Sequence, residues 1–380
     1  MAGPGKRKGD LSLSSSLNLF AYRAVFGFLA KARPPRSRAI QLGPQSRVIF
    51  FSTAGLGDSL LDSAGIRAVA EAFPGIHIEA VVHHRRRDIA EHNPFLEKLH
   101  FLRKGPHAFL SLWWSLRKRG PWDAVFYLSC HDPEARCLGY LLARDATIGL
   151  GWRTKLPWLC ARNIEEPGLK KAHLAAQAVR VASEAGASGQ TVRMVYAVKE
   201  SDRAGLDAKL AGTGYPREAG VVFQLGGGGG AFRDWPAGHF LKLAGMAHAA
   251  GIGPLFLLGG PDHAEKARTL MAAAEGIPLF DLVGKLHLPQ SAALLERARC
   301  LVSTDTGIMH LAFAIGTPTV ALLHCTPGAD RVGPTAEPGR HVVIALPRPP
   351  GYHSPGDVSM SEIPPGQVFE GLKELFFRKE

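Results

Sequence analysis

Short, continuously apolar runs recur along this chain, each followed by a small-residue turn and then by apolar residues at helical spacing. Arg47 to Thr53 (RVIFFST) is the first such run, and Gly55-Leu56-Gly57-Asp58 behind it opens a helical pattern through Leu61, Ile66 and Val69. A strand that is apolar along its whole length is buried on both faces, as in a parallel sheet covered by helices. Ile76 to His83, Ala124 to Leu128 and Ala146 to Leu150 repeat the pattern. The alternation starts again with Gly220 to Leu225 and continues through Pro254 to Leu258, Leu279 to Leu282, Cys300 to Ser303 and Thr319 to Leu323, with helices expected over His263 to Ala274, Ser291 to Ala298 and Gly307 to Ile315. The fold class is therefore α/β, with two Rossmann-like parallel-sheet domains facing across a cleft.

A chain of 380 residues has room for two such cores. The expected division is a basic extension over 1–44, a first Rossmann-like domain over 45–200, a linker over 201–218, a second domain over 219–345, and a tail over 346–380. The linker holds Gly, Pro and charged residues ahead of a fresh strand. In the tail, Val368, Leu372, Leu375 and Phe376 follow a helical pattern that suits packing back onto the body.

Charge narrows the range of functions. The net charge is 45 − 33 = +12, and residues 1–44 supply eight Lys/Arg against the single Asp10, or +7 of it. Nucleic-acid binders cluster such charge on a folded face, so this distribution speaks against that class. Arg85-Arg86-Arg87, an internal basic run, reads as a solvated loop edge after a strand. Leu17, Phe20, Ala24 and Phe28 lie near helical spacing with Arg23 and Lys31 elsewhere on the wheel. That pattern fits a helix on an anionic membrane surface, or an extension that packs on the protein or stays disordered. No apolar run is long enough to span a bilayer, and no secretory signal is evident after Lys6-Arg7-Lys8. Five cysteines without a C-x-x-C pair point to a reducing, cytoplasmic compartment, with no metal site expected.

Ligands of open parallel sheets bind beyond the carboxyl ends of the strands, so three loops matter. Ser303-Thr-Asp-Thr-Gly-Ile-Met-His310 ends a strand and starts a helix. Asp305 can cap that helix, while Thr306 and Gly307 offer an anion their amides and a hydroxyl. The glycine run Gly226 to Gly230, followed by Ala-Phe-Arg-Asp-Trp-Pro236, leaves backbone free to wrap a pyrophosphate, and Arg233 adds a bidentate cation. Asp58 either caps its helix or serves as a general base toward an acceptor hydroxyl across the cleft. Gly55-Leu-Gly57 is not a dinucleotide fingerprint, because Leu60 stands where its third glycine would be, which counts against a nicotinamide-dependent oxidoreductase.

Together, G-L-G-D, the glycine loop with Arg-Asp-Trp-Pro, G-G-P-x-x-x-x-E, and S-T-D-T-G-x-x-H with I-G-T-P-T-V-A-L resemble glycosyltransferase family 9, the heptosyltransferases of lipopolysaccharide core assembly. The resemblance implies a GT-B fold and metal-independent, inverting transfer. It further implies a nucleotide-diphosphate sugar such as ADP-heptose, held mainly by the second domain, and a lipid-linked or lipopolysaccharide-core acceptor, held mainly by the first. By position it implies Asp58 as base and Arg233 in place of a phosphate-binding lysine. Gly228 and Gly229 stand where hydroxyl residues contact phosphate, Glu265 near a ribose-binding glutamate, and Leu286 beside the base. Asp305, Thr306, Gly307 and His310 form the donor motif, although His310 could equally anchor its helix.

The arginine, the glycine run and Leu323-His-Cys-Thr-Pro327 depart from the family pattern and leave the sugar open. Peripheral contact of residues 1–44 with the cytoplasmic face of the inner membrane is a further expectation. A catalytically silent nucleotide- or carbohydrate-binding protein of the same fold is the alternative reading.

Overall fold

The computed structural model describes residues 13–189, 191–218, 220–226 and 230–378, with side chains from residue 19 onward. Its twelve strands form two parallel sheets. The first holds β1 (Arg47–Ser52), β2 (His77–His83), β3 (Lys98–Leu102), β4 (Ala124–Tyr127), β5 (Thr147–Leu150) and β6 (Arg162–Ile164) in the order β3-β2-β1-β4-β5-β6. The second holds β7 (Val221–Gln224), β8 (Leu255–Leu258), β9 (Leu279–Asp281), β10 (Cys300–Thr304), β11 (Thr319–Leu323) and β12 (His341–Ala345) in the order β12-β11-β10-β7-β8-β9. Read from its other edge, the second sheet repeats the order of the first. In each, the chain reverses direction across the sheet beside its first strand, and such a switch point opens a crevice at the carboxyl ends.

The helices longer than one turn are α1 (Leu13–Ala32), α2 (Leu56–Ala72), α3 (Pro106–Arg119), α4 (Pro133–Ala143), α5 (Leu174–Ser183), α6 (Glu200–Leu210), α7 (Ala237–Ala249), α8 (Ala264–Ala273), α9 (Leu288–Arg297), α10 (Gly307–Ile315) and α11 (Pro365–Phe376). No helix of the described residues is long and apolar enough to cross a membrane. The central strands bury every residue of Ala124–Tyr127, Val221–Gln224 and Thr319–Leu323, as a sheet covered on both faces requires.

Three edge strands escape the apolar-run criterion. Lys98–Leu102 and His341–Ala345 mix exposed and buried positions, and Arg162–Ile164 is short. The segment expected as a linker, 201–218, begins instead as helix α6, whose Leu206 and Leu210 are buried in a core shared with α9 and α10. Residues expected to form a basic extension contain α1, whose Phe26 and Ala30 are buried against α3 and α4. The tail helix α11 buries Val368, Leu372, Leu375 and Phe376 against the second sheet, and Trp235 Nε1 bonds Ile363 O at 3.0 Å.

Candidate active site

The loops at the two switch points face each other around a cavity of about 410 Å³, lined from one side by Gly55, Gly57 and Asp58 and from the other by Arg233, Asp305, Thr306, Gly307 and His310.

The first wall is set by α2. Asp58 lies in its first turn, and its carboxylate accepts a hydrogen bond from Gly55 N at 3.0 Å, the only hydrogen bond to that side chain among the described residues. Beneath it, the fully buried Asp62 accepts from Ser52 Oγ (2.6 Å), Ser129 Oγ (2.9 Å) and Ser129 N, fastening the ends of β1 and β4 together. Burial outweighs these bonds and lifts the Asp62 carboxyl to about 6. Arg153 then bridges Ser129 Oγ (2.8 Å) and Gln177 Oε1 (3.1 Å). The basic run follows β2 directly: Arg85 and Arg86 lie in a 3-10 turn (His84–Arg86) and Arg87 opens one turn of helix, with Arg85 and Arg87 exposed as expected of a solvated edge and only Arg86 turned inward. Arg86 reaches back to Ala54 O at 3.1 Å, half buried beside Asp58, and burial followed by Arg85 lowers its pKa.

The second wall is set by α10. Thr306, not Asp305, caps this helix, its Oγ1 accepting from Met309 N at 3.2 Å. Ser303 Oγ gives its proton to Thr304 O (2.8 Å), so Thr306 Oγ1 donates to Ser303 Oγ (3.2 Å). Donor and acceptor sides of the Thr306 hydroxyl are thus both engaged, which leaves the first-turn amides of Gly307 and Ile308 as the donors at this helix terminus. Asp305, freed from capping, pairs with Arg233 Nη1 through Oδ2 at 2.9 Å and faces His310 Nε2 through Oδ1 at 3.5 Å. His310 is buried, and its Nδ1 has no hydrogen-bond partner among the described residues.

The walls meet at two glycines. A Cβ on Gly57 would come 2.9 Å from His310 Cδ2, and one on Gly307 would overlap Leu56 Cδ2. Close approach of α2 to α10 therefore requires glycine at both positions. Cross-links beside the cavity fix the same pose. His173 Nε2 bonds Gly333 O at 3.0 Å while its Nδ1 accepts from Ala175 N, and Arg331 Nη1 donates to Lys170 O at 2.6 Å.

Gly228 and Gly229 lie outside the described residues. The segment that holds them is tied at both ends by Lys266 on α8, whose Nζ donates to Leu225 O (2.8 Å) and Trp235 O (2.7 Å). Glu265 beside it is exposed, Leu286 packs half-buried on the core, and neither lines the cavity. Glu265 lies in the first turn of α8, and the turn just before it meets the start of the glycine segment, where a Cβ on Gly226 would overlap the His263 ring; the turn ahead of Leu286 is tied instead to the end of β8, Gly284 N bonding Gly259 O at 2.9 Å. Among the described residues no group of three His, Cys, Asp or Glu side chains could hold a metal ion. Sequence reasoning missed Arg86, Arg153, His173 and Lys266, whose partners are backbone carbonyls or distant side chains that no motif spacing encodes.

Solved structures share this architecture. A family 9 glycosyltransferase from Veillonella parvula matches with a TM-score of 0.77 at 20% identity, covering 90% of this chain and 100% of that one. E. coli ADP-heptose lps heptosyltransferase II matches with a TM-score of 0.72 at 20% identity, over 87% of this chain and 98% of that one. E. coli heptosyltransferase WaaC with ADP gives 0.67 at 22%, over 87% and 99%. The fold is GT-B. The family model for glycosyltransferase family 9 (heptosyltransferase) matches residues 113–349, well over half of the chain, and the protein belongs to that family. Asp58 lies ahead of the matched residues. Among curated relatives, lipopolysaccharide heptosyltransferase 1 of E. coli K12 is 26% identical over 73% of this chain and 87% of its own length. Lipopolysaccharide heptosyltransferase 2 of the same strain is 27% identical over 42% of this chain and 47% of its own length.

Proposed function

We propose that this glycosyltransferase moves a sugar, with heptose the first candidate, from a nucleotide-diphosphate donor to a lipopolysaccharide-core or related glycan, inverting the anomeric centre without a metal. The observation that carries this reading is the single cavity lined by Asp58 from one sheet and by Arg233, Asp305 and the α10 N-terminus from the other. The heptosyltransferases of solved structure that bind ADP, and the curated lipopolysaccharide enzymes, support the choice of donor and acceptor. The five cysteines, all free and buried, suit a reducing compartment such as the cytoplasm.

In this reading the acceptor hydroxyl gives its proton to the Asp58 carboxylate as its oxygen attacks the anomeric carbon. The bond from that carbon to the diphosphate breaks, and its electrons pass to the leaving phosphate oxygen. Arg233 and the amides of Gly307 and Ile308 are placed to receive that charge in a site partly closed to water. Asp305 orients Arg233, and His310 supplies a buried ring whose Nδ1 awaits a partner. Gly228, Gly229, Glu265 and Leu286 complete the proposed donor surface.

The bond from Gly55 N to Asp58 would equally serve a protein that binds nucleotide sugars without turning them over. Product mass spectrometry with a panel of nucleotide sugars and truncated lipopolysaccharide, run beside Asp58→Asn, decides between them. Turnover by the parent and its loss in Asp58→Asn, with ADP affinity retained, is the expected result. Near-normal transfer by Asp58→Asn would remove Asp58 from the role of base, and binding without turnover by the parent would favour the silent protein.

A further inference from the structure

Helix α1 is apolar on two opposite faces. Its inner face, Leu19, Tyr22, Phe26, Leu29 and Ala30, packs on the first half of the chain. Phe26 and Tyr22 meet Phe109 of α3 at 6.4 and 5.8 Å, and the Tyr140 hydroxyl donates to Arg33 O at 2.7 Å and to Leu29 O at 3.2 Å. Its outer face carries Ala21, Ala24, Phe20 and Phe28, with Phe20 73% and Phe28 74% exposed. A helix apolar all round is normally covered on every side. Here one side is not.

The neighbouring elements extend the same surface. α3 exposes Leu110 (56%) and Trp114 (54%) one turn apart, and the 3-10 turn Pro157–Leu159 exposes Trp158 (41%). Each aromatic has a cation close by: Arg23 stands 6.0 Å from the Trp158 ring centroid and Lys118 stands 5.2 Å from that of Trp114. Arg117 lies 5.7 Å from the Trp113 ring in the same way. α1, α3 and this turn hold no Asp or Glu, whereas they carry Arg23, Lys31, Arg117, Lys118 and Arg119. Exposed Trp and Phe rimmed by basic residues, with no acid among them, match the layered chemistry of an anionic bilayer surface: apolar just below the headgroups, negative at them. A protein partner would have to bring both an apolar patch and an acidic rim, whereas the lipid surface offers both at once.

We infer that the outer face of α1, together with Leu110, Trp114 and Trp158, docks this protein onto the surface of an anionic lipid bilayer. The helix lies along the interface and does not cross it, since Arg23 and Lys31 interrupt its apolar length. The inference concerns the surface alone and does not depend on the proposed reaction, because vesicle binding needs no turnover.

The test is co-sedimentation of the full-length protein with phosphatidylcholine vesicles, with and without phosphatidylglycerol. Binding is expected only with the anionic lipid and is expected to weaken at high salt. Phe20→Ser with Phe28→Ser, and separately Arg23→Gln with Lys31→Gln, should each weaken partitioning on the order of tenfold. Met271→Ser, an exposed apolar change on α8, should leave it unaltered. The α1 side chains are largely exposed, so circular dichroism should report unchanged folding; should the Phe variant unfold, the charge variant still decides. Absence of binding to anionic vesicles, undiminished binding by both α1 variants, or a dimer in sedimentation velocity that those variants dissolve would each overturn the inference, the last by assigning the face to a second copy.

Discussion

Arg233 Nη1 stands 2.9 Å from Asp305 Oδ2, joining the loop after β7 to the loop after β10 across the switch point of the second sheet. The pair presents a guanidinium whose orientation is fixed before any anion arrives. In the proposed reaction that cation acts on charge that develops as the diphosphate leaves. Arg233→Ala should therefore lower kcat/KM by about 10²–10³-fold, with a smaller change in donor affinity. Arg233→Lys should recover only part of the loss, because an ammonium cannot hold Asp305 and a phosphate in the same forked geometry. Steady-state kinetics with isothermal titration of ADP separates the two effects.

Gly57 tests the contact between the halves. Alanine there would place its Cβ 2.9 Å from His310 Cδ2, inside any ordinary contact distance, so the ring or α2 must shift. A loss of roughly 1–3 kcal/mol in stability is expected from such overpacking, together with at least a tenfold fall in turnover as the two walls of the cavity separate. Thermal unfolding and initial rates on the same preparation provide the check.

Two buried groups give stability opposite pH dependences. Burial lifts Asp62 to about 6 against an unfolded value near 4, so the native state holds its proton where the unfolded state has lost it, and stability falls as pH rises through that interval. Burial, reinforced by Arg340, lowers His341 to about 4, so here the unfolded state binds the extra proton and stability grows as pH rises from about 4 to about 6.5. Each contribution is on the order of 3 kcal/mol, and over most of the shared interval they oppose one another. Urea unfolding between pH 4.5 and 7 should show a decline with rising pH in His341→Gln and a rise in Asp62→Asn, each departing from the flatter profile of the parent.

Lys266 holds two backbone carbonyls at once, and its ammonium also lies 5.1 Å from the Phe240 ring centroid. Burial lowers its pKa. Lys266→Met keeps most of the packing on Phe240 and leaves Leu225 O and Trp235 O without this donor. About 2 kcal/mol of destabilisation is expected, with weaker ADP binding because both ends of the glycine segment lose their tether. Denaturant titration read alongside calorimetry would show whether stability and ADP affinity fall together.

The parts of the fold that could be read from sequence were those whose burial is complete. Phe50, Phe126, Phe223 and Leu322 sit in strands with a continuous apolar run at their centre, and these strands declare themselves. Lys98–Leu102 does not, because an edge position leaves Lys98 in solvent while His100 pairs with Glu79 at 2.6 Å inside the protein. The glycine and Asp-Thr-Gly loops were legible because each follows a legible strand. Thr306 took the cap expected of Asp305 for a reason no spacing reveals: Asp305 has a better partner in Arg233, far away in the chain. Arg86 was hidden similarly, its role depending on a carbonyl at Ala54 that only the folded sheet brings near.

Both sheets run through the same strand order, and the cavity lies where their two switch points confront each other. Neither half owns the proposed reacting constellation: Asp58 rides on one sheet, Arg233 and the α10 terminus on the other. The relative pose of the sheets is thus a chemical coordinate, and a substitution that leaves each half intact but rotates one against the other would be felt as a change in rate without any residue of the cavity having been touched.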